Sequence, residues 1–150
     1  IMETTSVTIE NLNDLIRIHN DRIAGYEHAH KELQLDDAEL KQLFTNLIGE
    51  SHQFKMELGT EVGVLGGDME TNTSISGKIH RAWISLKEAF GGNNKTLLEN
   101  CEYGEDIIQK AYKSALEDEH LPAYLQQILV RQQSILKAAH DKVKALRDSR

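Results

Sequence analysis

What most constrains this chain is where its helix breakers fall. One proline, Pro122, stands in 150 residues, and four of the ten glycines form the adjacent pairs Gly66-Gly67 and Gly91-Gly92 at segment ends. The stretches between these points carry nothing that interrupts helical hydrogen bonding. Aromatic residues make up only 5% of the chain, so the side chains that favour strands are scarce. The expectation is an all-α fold.

The first segment, about 8–33, repeats Ile9, Leu12, Ile16, Ile23 and Leu33 at the three-and-four spacing of one helix face. His19, Tyr26 and His30 fall on the same stripe, which makes its seam partly polar. Asp36-Asp37-Ala38-Glu39 reads as a helix start, with Asp36 and Glu39 as a capping box. The second helix, 37–65, carries Leu40, Leu43, Phe44, Leu47, Ile48, Phe54, Leu58, Val62 and Leu65, with Ser51 in their midst, and stops at Gly66-Gly67. Helices joined so briefly are antiparallel neighbours.

The interval from Gly66 to Asn94 decides the topology. A simple up-and-down bundle joins neighbours with a few residues, whereas here the chain spends nearly thirty. They include a stripe of their own, Ile75, Ile79, Ala82, Trp83, Leu86 and Phe90, which predicts a bridging helix over 75–90. Such a helix is ~24 Å long, enough with its flanks to carry the chain from one end of a bundle to the other. The third long helix, 94–119, then runs parallel to the second. Asn93 or Asn94 caps it, and Leu98, Cys101, Glu105, Ile108, Tyr112 and Ala115 form its stripe. Leu121-Pro122 marks the last junction, with Pro122 suited to a first helical position. The final helix, 122–148, presents Leu125, Ile128, Leu129, Ile135, Leu136, Ala139, Val143 and Leu146 on one stripe, with Gln132 among them. The whole of 1–150 is expected to form one four-helix-bundle domain.

A formal net charge of −7 argues against a general nucleic-acid surface, which needs clustered cations. No run approaches the ~18 apolar residues that cross a bilayer, and the stretch after Met2 has neither a basic nor an apolar region of a secretory signal. The single Cys101 excludes an internal disulfide. The expectation is a cytoplasmic protein that binds neither nucleic acid nor membrane and meets a second copy or another protein.

Several short runs carry a family resemblance. They are His80-Arg81-Ala82-Trp83 with Leu86-Lys87 and Gly91-Gly92, then Glu102-Tyr103-Gly104-Glu105-Asp106 with Tyr112, then Ala139-His140-Asp141 with Leu146-Arg147-Asp148. Together they resemble a bacterial family of small four-helix-bundle proteins, a domain of unknown function grouped with the ferritin-like superfamily. The resemblance implies the ferritin-like arrangement, with a long crossover between helices 2 and 3. It implies no activity.

The superfamily poses the question of metal. A di-metal carboxylate bundle uses a Glu from each of two helices and Glu-x-x-His from each of the other two. Glu27-x-x-His30 occurs in the first helix and Glu117-x-x-His120 at the end of the third. The second helix offers Glu50, but with Gln53 in place of histidine, and the fourth has His140 preceded by Lys137 and no glutamate at all. The set is incomplete. A sparser site would draw on Glu105, Glu102, His140 and His19 and take Fe, Zn or Mn. In that reading His19, Ser51, Glu105 and Gln132 share the middle of the bundle, while Tyr26, Glu102 and His140 form a layer nearer one end. The competing reading makes Glu105 and His19 a hydrogen-bonded polar layer that fixes helix register, since a buried carboxylate takes the nearest donor. Cys101 on an apolar stripe reads as a buried inert thiol, and Trp83 as the anchor of the crossover. The sequence therefore favours a non-enzymatic helical bundle, stress-associated or partner-binding and without a cofactor. A metal-binding bundle is the alternative.

Overall fold

The computed structural model describes residues 2–33, 37–74, 80, 83 and 94–150. Four long helices account for most of them: α1 (Met2–Glu32), α2 (Ala38–Val64), α3 (Asn94–Leu116) and α4 (Ala123–Asp148). No strand occurs among the described residues.

Each terminus has a local cause, and some differ from expectation. Helix α1 begins at Met2, well before Thr8, and the Thr8 hydroxyl donates back to the Thr4 carbonyl (3.1 Å), so it is absorbed inside the helix and does not cap it. The cap of α2 is Asp37, whose carboxylate accepts from the Leu40 N–H at 3.3 Å. Asp36, on which the capping box was expected, lies outside the described residues, and the Glu39 carboxylate accepts from Arg150 (3.2 Å). Gly66 ends α2 with φ +89°, its N–H bonding the Gly63 carbonyl while the Gly67 N–H reaches Val62. That is the Schellman pattern the glycine pair foretold. Pro122 sits just outside α4 as its cap, and its carbonyl accepts from Gln126 (3.0 Å).

Interhelical contacts fix the directions. Along α1, His19, Arg22 and Tyr26 meet Ser51, Glu50 and Phe44 of α2. The numbers rise on one helix as they fall on the other, so the pair is antiparallel. His19 and Arg22 likewise meet Tyr112 and Glu105 of α3, so α1 is antiparallel to α3 as well. Helices α2 and α3 therefore run the same way, and the chain returns the ~40 Å length of α2 between them. Pairs Glu102–Arg147 and Tyr112–Gln132 set α4 antiparallel to α3.

The expected bridging helix over 75–90 falls almost wholly outside the described residues, as do Gly91-Gly92. Two of its residues are described, both in helical conformation. Trp83 is buried, its ring edge-on to Tyr26 with centroids 5.2 Å apart. It also covers Gly104 so closely that a Cβ there would lie 2.8 Å from the indole. His80 Nδ1 lies 3.4 Å from Asp21. The crossover is thus pinned to α1 and α3, with Trp83 as the anchor. Core packing comes from all four helices, through Leu12, Ile16, Phe44, Leu58, Leu98, Ile108, Leu125 and Val143 among others.

Candidate functional site: a buried cation and its polar relay

At mid-height the apolar core gives way to charge. Arg22 of α1 is fully buried, as is Glu105 of α3. Arg22 Nε and Nη2 donate to the two oxygens of Glu105, both at 2.9 Å, in the fork geometry that suits guanidinium to carboxylate. Nη1 donates to Glu50 Oε1 and Ser51 Oγ of α2, again at 2.9 Å each. The Tyr26 hydroxyl supplies a further donor to Glu105 at 2.8 Å. Burial opposes the charge on Arg22, but Glu105, with Tyr26 and Glu50, outweighs it and holds the guanidinium protonated. Burial raises the Glu50 carboxyl, with Arg22 acting against the shift.

The polar chain continues across the bundle, and donor chemistry fixes its direction. The Gln132 amide oxygen can only accept, so Tyr112 donates to it (2.7 Å). The Tyr112 oxygen therefore receives His19 Nε2–H (2.7 Å), which leaves Nδ1 to accept from Ser51 (2.9 Å). Gln132 Nε2 donates to Glu57 Oε1 (2.7 Å), and Glu57 pairs with Arg131 at the surface. Every helix contributes. Burial, with the charges of Arg22 and Lys55, lowers His19 to about 3, so the ring is neutral with its proton on Nε2. Burial also raises Tyr26, Tyr112 and Cys101, so neither phenol nor the thiol ionises near neutrality.

The four sequence-nominated residues divide between two places. His19 and Glu105 lie in this core network, along with Ser51 and Gln132. Glu102 and His140 lie together at the α3–α4 edge, where Asp106 joins them. Tyr26 leaves the layer expected to hold it with Glu102 and His140, because its hydroxyl bonds Glu105. Sequence reasoning missed Arg22 and Asp106. Arg22 stands three after His19 and four before Tyr26, squarely on the inward stripe. Asp106 stands four after Glu102 and shares its face.

A family model described as a domain of unknown function, DUF2383, matches residues 7–118. The chain belongs to the DUF2383 family. No curated protein matches the sequence. Solved structures place this DUF2383 bundle among ferritin-like folds. A single-site mutant of Mycobacterium smegmatis Dps1 superposes with TM-score 0.78 at 12% identity, covering 95% of this chain and 96% of that one. A protein described as ferritin-like and diiron-carboxylate, from Bacillus anthracis, gives TM-score 0.69 at 16% identity, covering 95% and 94%. At such identities the likeness is one of fold, and it agrees with the crossover topology.

Proposed function

We propose that this DUF2383 domain is a non-enzymatic ferritin-like bundle in which a protein-supplied cation occupies the heart of the core. The observation that carries the reading is the two-pronged Arg22–Glu105 pair, with Glu50 and Ser51 on the remaining guanidinium nitrogen. A di-metal centre of this superfamily's kind needs carboxylates from every helix and two imidazoles. Here the inward carboxylates, Glu50 and Glu105, are both engaged by Arg22. Both nitrogens of the inward imidazole, His19, are consumed by Ser51 and Tyr112. Helix α4 offers the amide Gln132 in this layer and contains no glutamate. The donor set does not fit the di-metal group, and a fixed guanidinium would repel a divalent ion at close range.

What the bundle does is then done at its surface, through another protein or a second copy. Met56, Val64 and Val130 stand 57%, 71% and 53% exposed there. No helix among the described residues is long and apolar enough to cross a membrane.

The test is elemental analysis of protein purified without chelator, together with oxygen consumption on adding Fe²⁺. The expected result is Fe²⁺ oxidation no faster than in buffer, and no iron whose retention depends on Glu50 or Glu105. Stoichiometric iron that disappears in a Glu50→Gln, Glu105→Gln variant would overturn the reading.

A further inference from the structure

Away from the core, Glu102 and Asp106 of α3 face His140 of α4 across their shared edge. One donor atom from each converges within 4.8 Å of the others. His140 Nε2 is 2.7 Å from Asp106 Oδ1 and 3.8 Å from Glu102 Oε1. We propose that these three side chains form a mononuclear site for a first-row divalent cation, distinct from the Arg22 network.

The state of the imidazole is the main argument. His140 Nδ1 lies 3.1 Å from Asp141 Oδ1. A carboxylate only accepts, so Nδ1 carries the hydrogen there. In the neutral ring the lone pair is then on Nε2, the atom aimed at the other two carboxylates. Nε2 is buried and makes no hydrogen bond among the described residues, despite the short approach of Asp106. In that tautomer the Nε2 lone pair faces both carboxylates, where a divalent cation and a proton compete for the same position. The Asp141 contact at Nδ1 is the outer-shell device that fixes a metal-binding tautomer and ring orientation.

The carboxylates are prepared in the same way. Arg147 and Glu102 Oε2 pair at short range, which holds the side chain and turns Oε1 toward His140. Bonds of about 2.0–2.2 Å to such ligands put neighbouring donor atoms roughly 3–3.5 Å apart, so the observed separations need only small side-chain adjustment. Glu102 and His140 side chains are 13% and 17% exposed, while Asp106 is 50% exposed and forms the mouth. One imidazole with two carboxylates suits Zn²⁺, Fe²⁺ or Mn²⁺ better than Mg²⁺ or Ca²⁺, which prefer oxygen alone. Three protein donors leave at least one position for water. The ion would clip α3 to α4 near the middle of α3.

Zinc is the probe. The chelator-stripped full chain is titrated with Zn²⁺ by calorimetry, with the thermal midpoint followed in parallel. One Zn²⁺ per chain is expected, with a midpoint that rises with zinc concentration. Asp106→Asn, a change at a half-exposed position, and His140→Ala should each weaken binding at least ~100-fold. Asp141→Asn should weaken it ~10- to 100-fold through the imidazole. His120→Ala, an exposed histidine elsewhere, and Glu50→Gln, in the core network, should leave it unchanged. Absence of saturable zinc binding, or binding that survives Asp106→Asn and His140→Ala, overturns the proposal. Binding lost in Glu50→Gln instead would place the ion in the core and count against both this site and the Arg22 reading.

Discussion

Glu105 illustrates how one buried charge dictates its neighbours. Its two oxygens take three donors, two from Arg22 and one from Tyr26. Removing it alone leaves the buried guanidinium with only the partly exposed Glu50 to balance its charge, which costs up to about 3–5 kcal/mol, whereas replacing both partners with apolar side chains of similar volume is often neutral or stabilising. Glu105→Leu should therefore lower the urea midpoint sharply. The Arg22→Met, Glu105→Leu pair should recover most or all of that loss, because Glu50 is 20% exposed and can turn to water. A double variant no more stable than Glu105→Leu alone would show that the guanidinium left behind is not what costs the stability. The pairing also explains why sequence reading stopped halfway. Glu105 was legible as a polar member of an apolar stripe. Arg22 was not, because stripes are assembled from apolar residues and an arginine on a helix is ordinarily assigned to the wet face. Its spacing from His19 and Tyr26 held the missing information.

Among the helical elements, start and stop chemistry was legible to within a residue or two at most ends, since glycine and proline act through their own backbone. Asp36 and Asp37 are both competent caps, and composition cannot choose between adjacent aspartates. The crossover depends on a different contact. Trp83 lies flat enough against Gly104 that a Cβ would approach its ring at 2.8, 2.9 and 3.0 Å. A rigid indole wedged between α3 and Tyr26 cannot withdraw as a flexible side chain would. Gly104→Ala should destabilise by roughly 1–3 kcal/mol, the usual range for an overpacked core. Trp83 is the sole tryptophan, so its fluorescence reports this contact alone, and emission should shift to the red as the ring moves toward water. An unchanged spectrum with an unchanged midpoint would mean that the indole is not held against α3.

For the molecule as a whole, loop length and stripe period were enough to give the parallel α2–α3 pair, because no short connection can do it. The separation of His19 and Glu105 from Glu102 and His140 was legible from the alignment of the stripes, but the place of the second pair at the α3–α4 edge, with Asp106 and without Tyr26, was not. It depends on the rotation of each helix about its axis, which a three-and-four pattern fixes only to about the width of its apolar stripe. The same network ties global stability to pH. His19 is lowered to about 3 in the fold against 6.5 for a free imidazole. Between those values the unfolded chain binds a proton that the folded chain refuses, so stability is complete above about pH 6.5 and falls as the pH drops toward 3. Glu50 works in the opposite sense, since its raised carboxyl takes up a proton more readily in the fold, and this offsets part of the loss at the acidic end. The slope from His19 is roughly 1.4 kcal/mol per pH unit once the unfolded imidazole is fully protonated. Urea midpoints at pH 7, 6 and 5 should therefore decline. His19→Gln, which keeps polar atoms toward Ser51 and Tyr112, should be weaker at pH 7 and flatter across the range. A decline just as steep in His19→Gln would assign the acid sensitivity to groups outside the relay.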